Sequence, residues 1–75
     1  MSAHTTVQSV VFPRDKFTLA EAKKWVSDNN YKTSFHGKPV DIKPTQYRFR
    51  QAPVMFKNYV TKKLPNGVLL VLGVH

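Results

Sequence analysis

The segment Val68-Leu69-Leu70-Val71-Leu72 is apolar on both of its alternating faces and follows a turn signal, Pro65-Asn66-Gly67. A strand with no polar face is normally buried on both sides. This run therefore demands strand neighbours, and cover above and below. Val68 to Val74 has the length of a strand and falls far short of the roughly 18 residues of a membrane span. Proline suits the second position of a type I turn, and glycine supplies the positive φ of a G1 bulge. Phe56–Leu64 and Val68–Val74 are accordingly predicted to pair as a hairpin, with Leu64 opposite Val68 and Val60 near Leu72. Leu64, Val60, Leu70 and Leu72 then share one face, and Tyr59, Thr61, Lys63, Leu69 and Val71 share the other.

The remaining elements follow from local signals. Val7 to Phe12 is rich in β-branched residues and reads as a first strand ending at Pro13. Thr18 to Asn30 reads as a helix: Thr18 and Glu21 have capping-box spacing, Leu19, Ala22 and Val26 form an apolar stripe, and Asn29 and Asn30 suit its end. Tyr31 to Phe35 reads as a short strand and His36 to Pro44 as a loop, mobile at its tip. Gln46 to Gln51 alternates, with Tyr47 and Phe49 on one side and Gln46, Arg48 and Arg50 on the other. Ala52 to Met55 is a connection around Pro53. The predicted fold class is α+β: a small, mostly antiparallel sheet of four to five strands with one helix on one face, in the order β-α-β-β-β-β. Residues 1–6 are expected to form a flexible tail and 7–75 a single domain.

One helix of about three turns covers only part of such a sheet. Leu69, Val71 and Tyr59 therefore need cover, either from the loop at 36–44 or from a second copy of the chain. A two-fold dimer that buries part of this face or an edge strand is expected. Trp25 is expected to be largely buried, with Phe12, Tyr47 or Phe49 as neighbours.

Charge narrows the function. Twelve Lys and Arg against four Asp and Glu give a net charge of +8 in 75 residues. Such a field attracts polyanions and accelerates their encounter without bearing on fold. With no cysteine, disulfides and thiolate zinc sites are excluded. The acids offer no catalytic pair: Glu21 belongs to the cap, and Asp28 is one turn from Lys24. His4, His36 and His75 lack ligand spacing. No phosphate loop or nucleophile elbow is present, so no enzyme, cofactor or metal is expected. The candidate nucleic-acid contacts are Arg48 and Arg50 on one strand face, Lys62, Lys63 and Lys57 along the hairpin, and Lys23 and Lys24 on the helix. A solvated strand face, or lysines that guard a sheet edge, would leave the same pattern. With one helix there is no helix-turn-helix, and the RNP1 pattern is absent, so backbone-directed binding is what these residues support.

Val11-Phe12-Pro13, Phe17-Thr18 with Ala22 and Trp25-Val26, Tyr31-Lys32, Tyr47-Arg48-Phe49-Arg50-Gln51, Pro53, Phe56, Leu64, Gly67, and Val71 with Gly73 also form a pattern. It resembles a small, functionally uncharacterised domain of tailed-phage and large-DNA-virus proteins, in which a Y-R-F-R-Q segment follows a W-T-x-x-x-A-x-x-W-L helix. Phe17 stands where that pattern has tryptophan. The resemblance covers residues 7 to 73. It implies a small basic protein of a large DNA virus, of the marseillevirus kind, and carries no activity or site residues with it. Taken together, the expectation is a phosphate-directed viral DNA-binding protein of the virion and infected cell, not secreted, soluble, and homodimeric. The alternative is a protein-interaction or virion-structural module with an acidic partner.

Overall fold

The structure, a computed structural model, describes residues 5–35, 37, 40–53 and 56–74. The expected tail residues 1–4, the loop positions 36, 38 and 39, the connection at 54–55, and His4, His36 and His75 lie outside the described residues.

The elements are β1 (Thr5–Pro13), α1 (Leu19–Asp28), β2 (Asp41–Ile42), β3 (Gln46–Arg50), β4 (Asn58–Lys63) and β5 (Leu69–Val74). They form one five-stranded sheet in the order β2-β3-β1-β5-β4, every described pairing antiparallel, with α1 on one face. The predicted class and element order hold. Most element ends shift by one or two residues, and two differences change the sheet itself. β1 begins at Thr5, which takes Thr5 and Thr6 from the expected tail into the sheet. The second strand is not Tyr31–Phe35 but Asp41–Ile42, inside the segment read as a loop. Two residues show no periodicity of their own, and it is the pairing to Arg48 and Tyr47 that makes them a strand.

The doubly apolar β5 lies between β1 and β4, as its composition requires. The hairpin register is the predicted one: Val60 pairs with Leu72, and the Leu64 N–H donates to the Val68 carbonyl at 2.8 Å. Gly67 takes φ +95° at the turn and donates its N–H to the Leu64 carbonyl at 3.0 Å.

α1 is fixed at both ends. Thr18 Oγ1 accepts from the Glu21 N–H at 3.2 Å, and Glu21 Oε1 accepts from the Thr18 N–H at 2.9 Å, completing the capping box. At the other end Asn30 adopts φ +62°. The Tyr31 N–H reaches the Val26 carbonyl at 2.9 Å and the Asn30 N–H the Ser27 carbonyl at 3.1 Å. This is a Schellman closure with asparagine in the left-handed position. Its apolar contact is the stacking of Tyr31 on Trp25, ring centroids 5.9 Å apart.

The core lies between helix and sheet: Val10, Phe12, Ala22, Val26, Phe49 and Val68. Phe12 is its hub, meeting Phe17, Trp25 and Phe49 edge to face. Trp25 meets Phe12, as expected, and packs against the core at its margin, keeping only a minor part of its surface in solvent. Tyr47 and Phe49 face the helix, as their alternation predicted, and Tyr47 also carries the Arg14 guanidinium 5.3 Å from its ring centre.

β1 carries a bulge at Gln8, where the register against β5 slips between Val7 and Ser9. The Gln8 carbonyl accepts from both the Gln51 and Ala52 N–H groups, at 2.7 and 3.3 Å. Its buried side chain donates to the Ala52 carbonyl and accepts from Ser9 Oγ at 2.6 Å. The buried polar pair is thus satisfied, as a low-dielectric interior demands.

Candidate nucleic-acid interface

Strand alternation leaves the other sheet face without a helix, and the registers fix what it presents. One line across all five strands reads Asp41, Arg48, Val11, Leu69, Lys63. The next reads Arg50, Ser9, Val71, Thr61. A third reads Thr6, Gly73, Tyr59. The open face therefore has an apolar centre, Leu69 and Val71, flanked by Arg48 and Arg50 on one side and Lys63 on the other. Leu69 and Val71 are half-buried, whereas Val11, in the middle strand between Arg48 and Leu69, is only 3% exposed.

Arg48 is oriented from below. Its Nε donates to Ser9 Oγ at 3.2 Å, and Ser9 in turn donates to Gln8. The bulge, the serine and the arginine form one hydrogen-bonded relay, which holds the guanidinium over β1. Its two terminal nitrogens have no hydrogen-bond partner among the described residues. Arg50 and Lys63 are exposed. Gln51, the last residue of the Tyr47–Gln51 segment, serves the fold instead. It exchanges two 2.7 Å hydrogen bonds with the backbone of Lys32, tying the segment after α1 to the end of β3.

The seven expected cationic contacts do not form one surface. Arg48, Arg50 and Lys63 share the open face. Lys62 pairs with Leu70 and so projects on the helix side of the sheet. Lys23 and Lys24 are exposed on α1, behind the sheet as seen from the open face. Lys24 is also bound to Asp28 at 2.7 Å, the single salt bridge among the described residues. That hydrogen bond, and the carboxylate charge behind it, raise the Lys24 pKa. Lys57 is exposed, just before β4. Lys62 therefore lies apart from Arg48, Arg50 and Lys63, because neighbouring strand residues point to opposite faces.

The residues expected at an oligomer interface share the open face. Leu69 and Val71 lie at the centre of the open face and Tyr59 on its β4 margin, 39% exposed. The β2 part of the 36–44 segment pairs with β3 at the far edge, so it does not lie over Leu69 and Val71. Phe56 covers the third line of the face instead. Its ring sits over Gly73 and meets Tyr59 edge to face at 5.9 Å, and its N–H donates to the Tyr59 hydroxyl at 3.3 Å. This contact was missed from sequence, although a glycine inside an apolar strand is a signal of close approach by another group.

Among the described residues no group of three or more His, Asp or Glu could hold a metal ion. Asp15 lies in a shallow recess with Arg14, Pro44 and Thr45, where Arg14 is engaged with the Lys43 carbonyl at 2.9 Å. No described helix is long and apolar enough to cross a membrane. Comparison with protein-family models, curated proteins and solved structures returns no match.

Proposed function

We propose that the chain binds nucleic acid, duplex DNA above all, by gripping phosphates with the open sheet face and with little preference for sequence. The observation that carries this reading is the line Arg48–Val11–Leu69–Lys63 beside Arg50, where cations that make no salt bridge among the described residues flank an uncharged centre, with Asp41 in register beyond Arg48 as the one acid of the line. Arg48 and Lys63 are three strand spacings apart, roughly 14 Å between backbones. That separation is close to the ~12 Å width of the major groove of B-DNA, so the two sides can meet phosphates across a groove. Neither edge-reading motifs nor a groove-entering helix accompany the cations, which is why the contact is assigned to phosphates. The proposed setting, a virion-packaged protein of a large DNA virus, rests on the resemblance of the Tyr47–Gln51 segment and its surroundings.

A protein-interaction module is the second reading, favoured by the half-buried Leu69 and Val71. An acidic protein surface with an apolar centre would match the same face. Gel shifts with duplex DNA, single strands and RNA, competed by an acidic polypeptide, separate the two. Duplex binding that survives the polypeptide supports the first reading, and its absence at low salt removes it.

A further inference from the structure

β4 is the long edge of the sheet. All six of its residues are exposed, Val60 to 53%. Its backbone polarity follows from the hairpin. In an antiparallel pair, hydrogen-bonded and non-hydrogen-bonded positions alternate. Counted from the Leu64–Val68 bond, Val60 and Lys62 bond inward to β5, while Tyr59, Thr61 and Lys63 aim their N–H and C=O groups away from the sheet. This edge has three outward positions, each two residues from the next.

We propose that two copies of the chain pair along β4, antiparallel, with Thr61 opposite Thr61 on the two-fold axis. This inference rests on the open-face reading only for its consequence, not for its geometry. Three registers place outward residues opposite outward residues with Thr61 included. If Thr61 faces Lys63 of the second copy, Lys62 falls opposite Lys62. If Thr61 faces Tyr59, Lys63 falls opposite Lys57. Like charges directly opposite are destabilising. With Thr61 on the axis, Tyr59 faces Lys63 in both directions, Val60 faces Lys62, and no two cations are paired. This register also engages all three outward positions, giving about six backbone hydrogen bonds. Threonine pairs are favourable across strands, and the lysine stem can cover the exposed Val60. The lysines at one end of β4 thus select a register rather than forbid pairing.

A face-to-face dimer over Leu69 and Val71 is disfavoured on the same grounds, because it would set two clusters of Arg48, Arg50 and Lys63 against each other. Edge pairing does the opposite. A two-fold axis through an antiparallel strand pair is perpendicular to the sheet, so both helices lie on one side and both open faces on the other. The dimer presents one continuous basic face with two sets of cations.

The test is the mass and cross-linking of the full chain. In light scattering the protein should run at twice the 8.6 kDa of one chain. Thr61→Pro removes an outward N–H, which an edge strand tolerates in the monomer; the variant should keep its circular dichroism and run as a monomer. Hydrogen-bonded partners stand about 5.5 Å apart at Cα, within disulfide range. The chain has no cysteine of its own, so Thr61→Cys should form a disulfide dimer at least about tenfold faster than Asn58→Cys. A wild-type monomer at high concentration, a folded Thr61→Pro dimer, or equal cross-linking at the two positions would each overturn the proposal. Nucleic-acid binding by the Thr61→Pro monomer, with an unchanged salt slope per chain, shows that the open-face reading stands or falls separately.

Discussion

The ring of Phe56 occupies the space that a Cβ on Gly73 would fill. Phe56 therefore caps β5 on the open face only because position 73 has no side chain. Gly73→Ala should force the ring off the sheet and cost roughly 1–3 kcal/mol in a urea melt. Phe56→Ala in the same chain should return part of that loss, since the two changes are coupled. Purely additive losses would mean that the contact is not what restrains position 73.

Phe12 and Trp25 differ in burial, and their truncations should differ accordingly. Phe12 is fully buried with three aromatic partners, so Phe12→Ala is expected to cost roughly 3–5 kcal/mol. Trp25 sits at the margin of the core with part of its surface in solvent, and Trp25→Ala should cost less than Phe12→Ala. Denaturant melts of both variants check the order. A larger loss at Trp25 would move the centre of the core to the helix.

The capping box gives α1 a pH dependence. Hydrogen bonds from the Thr18 backbone and side chain hold the Glu21 carboxyl below its ordinary range. A depressed carboxylate pKa contributes stability above its unfolded value and loses it as pH falls through the folded value. Wild type should therefore lose more stability than Glu21→Gln on acidification below the usual carboxylate range, and match it in slope near neutrality. Thr18→Ala should cost about 1 kcal/mol. Equal acid sensitivity of wild type and Glu21→Gln would show that the box is not formed in solution.

The relay beneath Arg48 makes that residue more than a charge. Ser9→Ala removes the acceptor of Arg48 Nε and the donor to Gln8, and should weaken duplex binding several-fold while leaving net charge untouched. Affinity measured at fixed salt tests this. Unchanged affinity with intact fold would mean that the orientation of Arg48 does not matter.

What was legible in the sequence was what is local or strictly periodic. The Pro65-Asn66-Gly67 turn fixed a register that holds residue for residue, and the alternation of β3 assigned Arg48 and Arg50 to the face away from Tyr47 and Phe49. The Thr18–Glu21 box and the asparagine stop located α1. What was hidden depends on distant partners. β2 is two residues long and exists through β3, and the Gln8 bulge exists through two N–H groups more than forty positions away. Lys62 and Lys63 are neighbours in sequence, but strand alternation puts them on opposite faces, as the hairpin register implies.

The central claim, that the open face is the phosphate-binding surface, is tested most directly by the salt dependence of duplex binding. Arg48, Arg50 and Lys63 amount to about three contacts, so log K should fall against log salt with a slope near −2.7 per chain. Replacing Arg50 and Lys63 together by Gln should flatten the slope by nearly two, whatever the DNA sequence. Replacing Lys23 and Lys62 by Gln removes the same charge from the helix side and should leave the slope unchanged. Equal flattening by the two pairs, or no binding at low salt, would contradict the account.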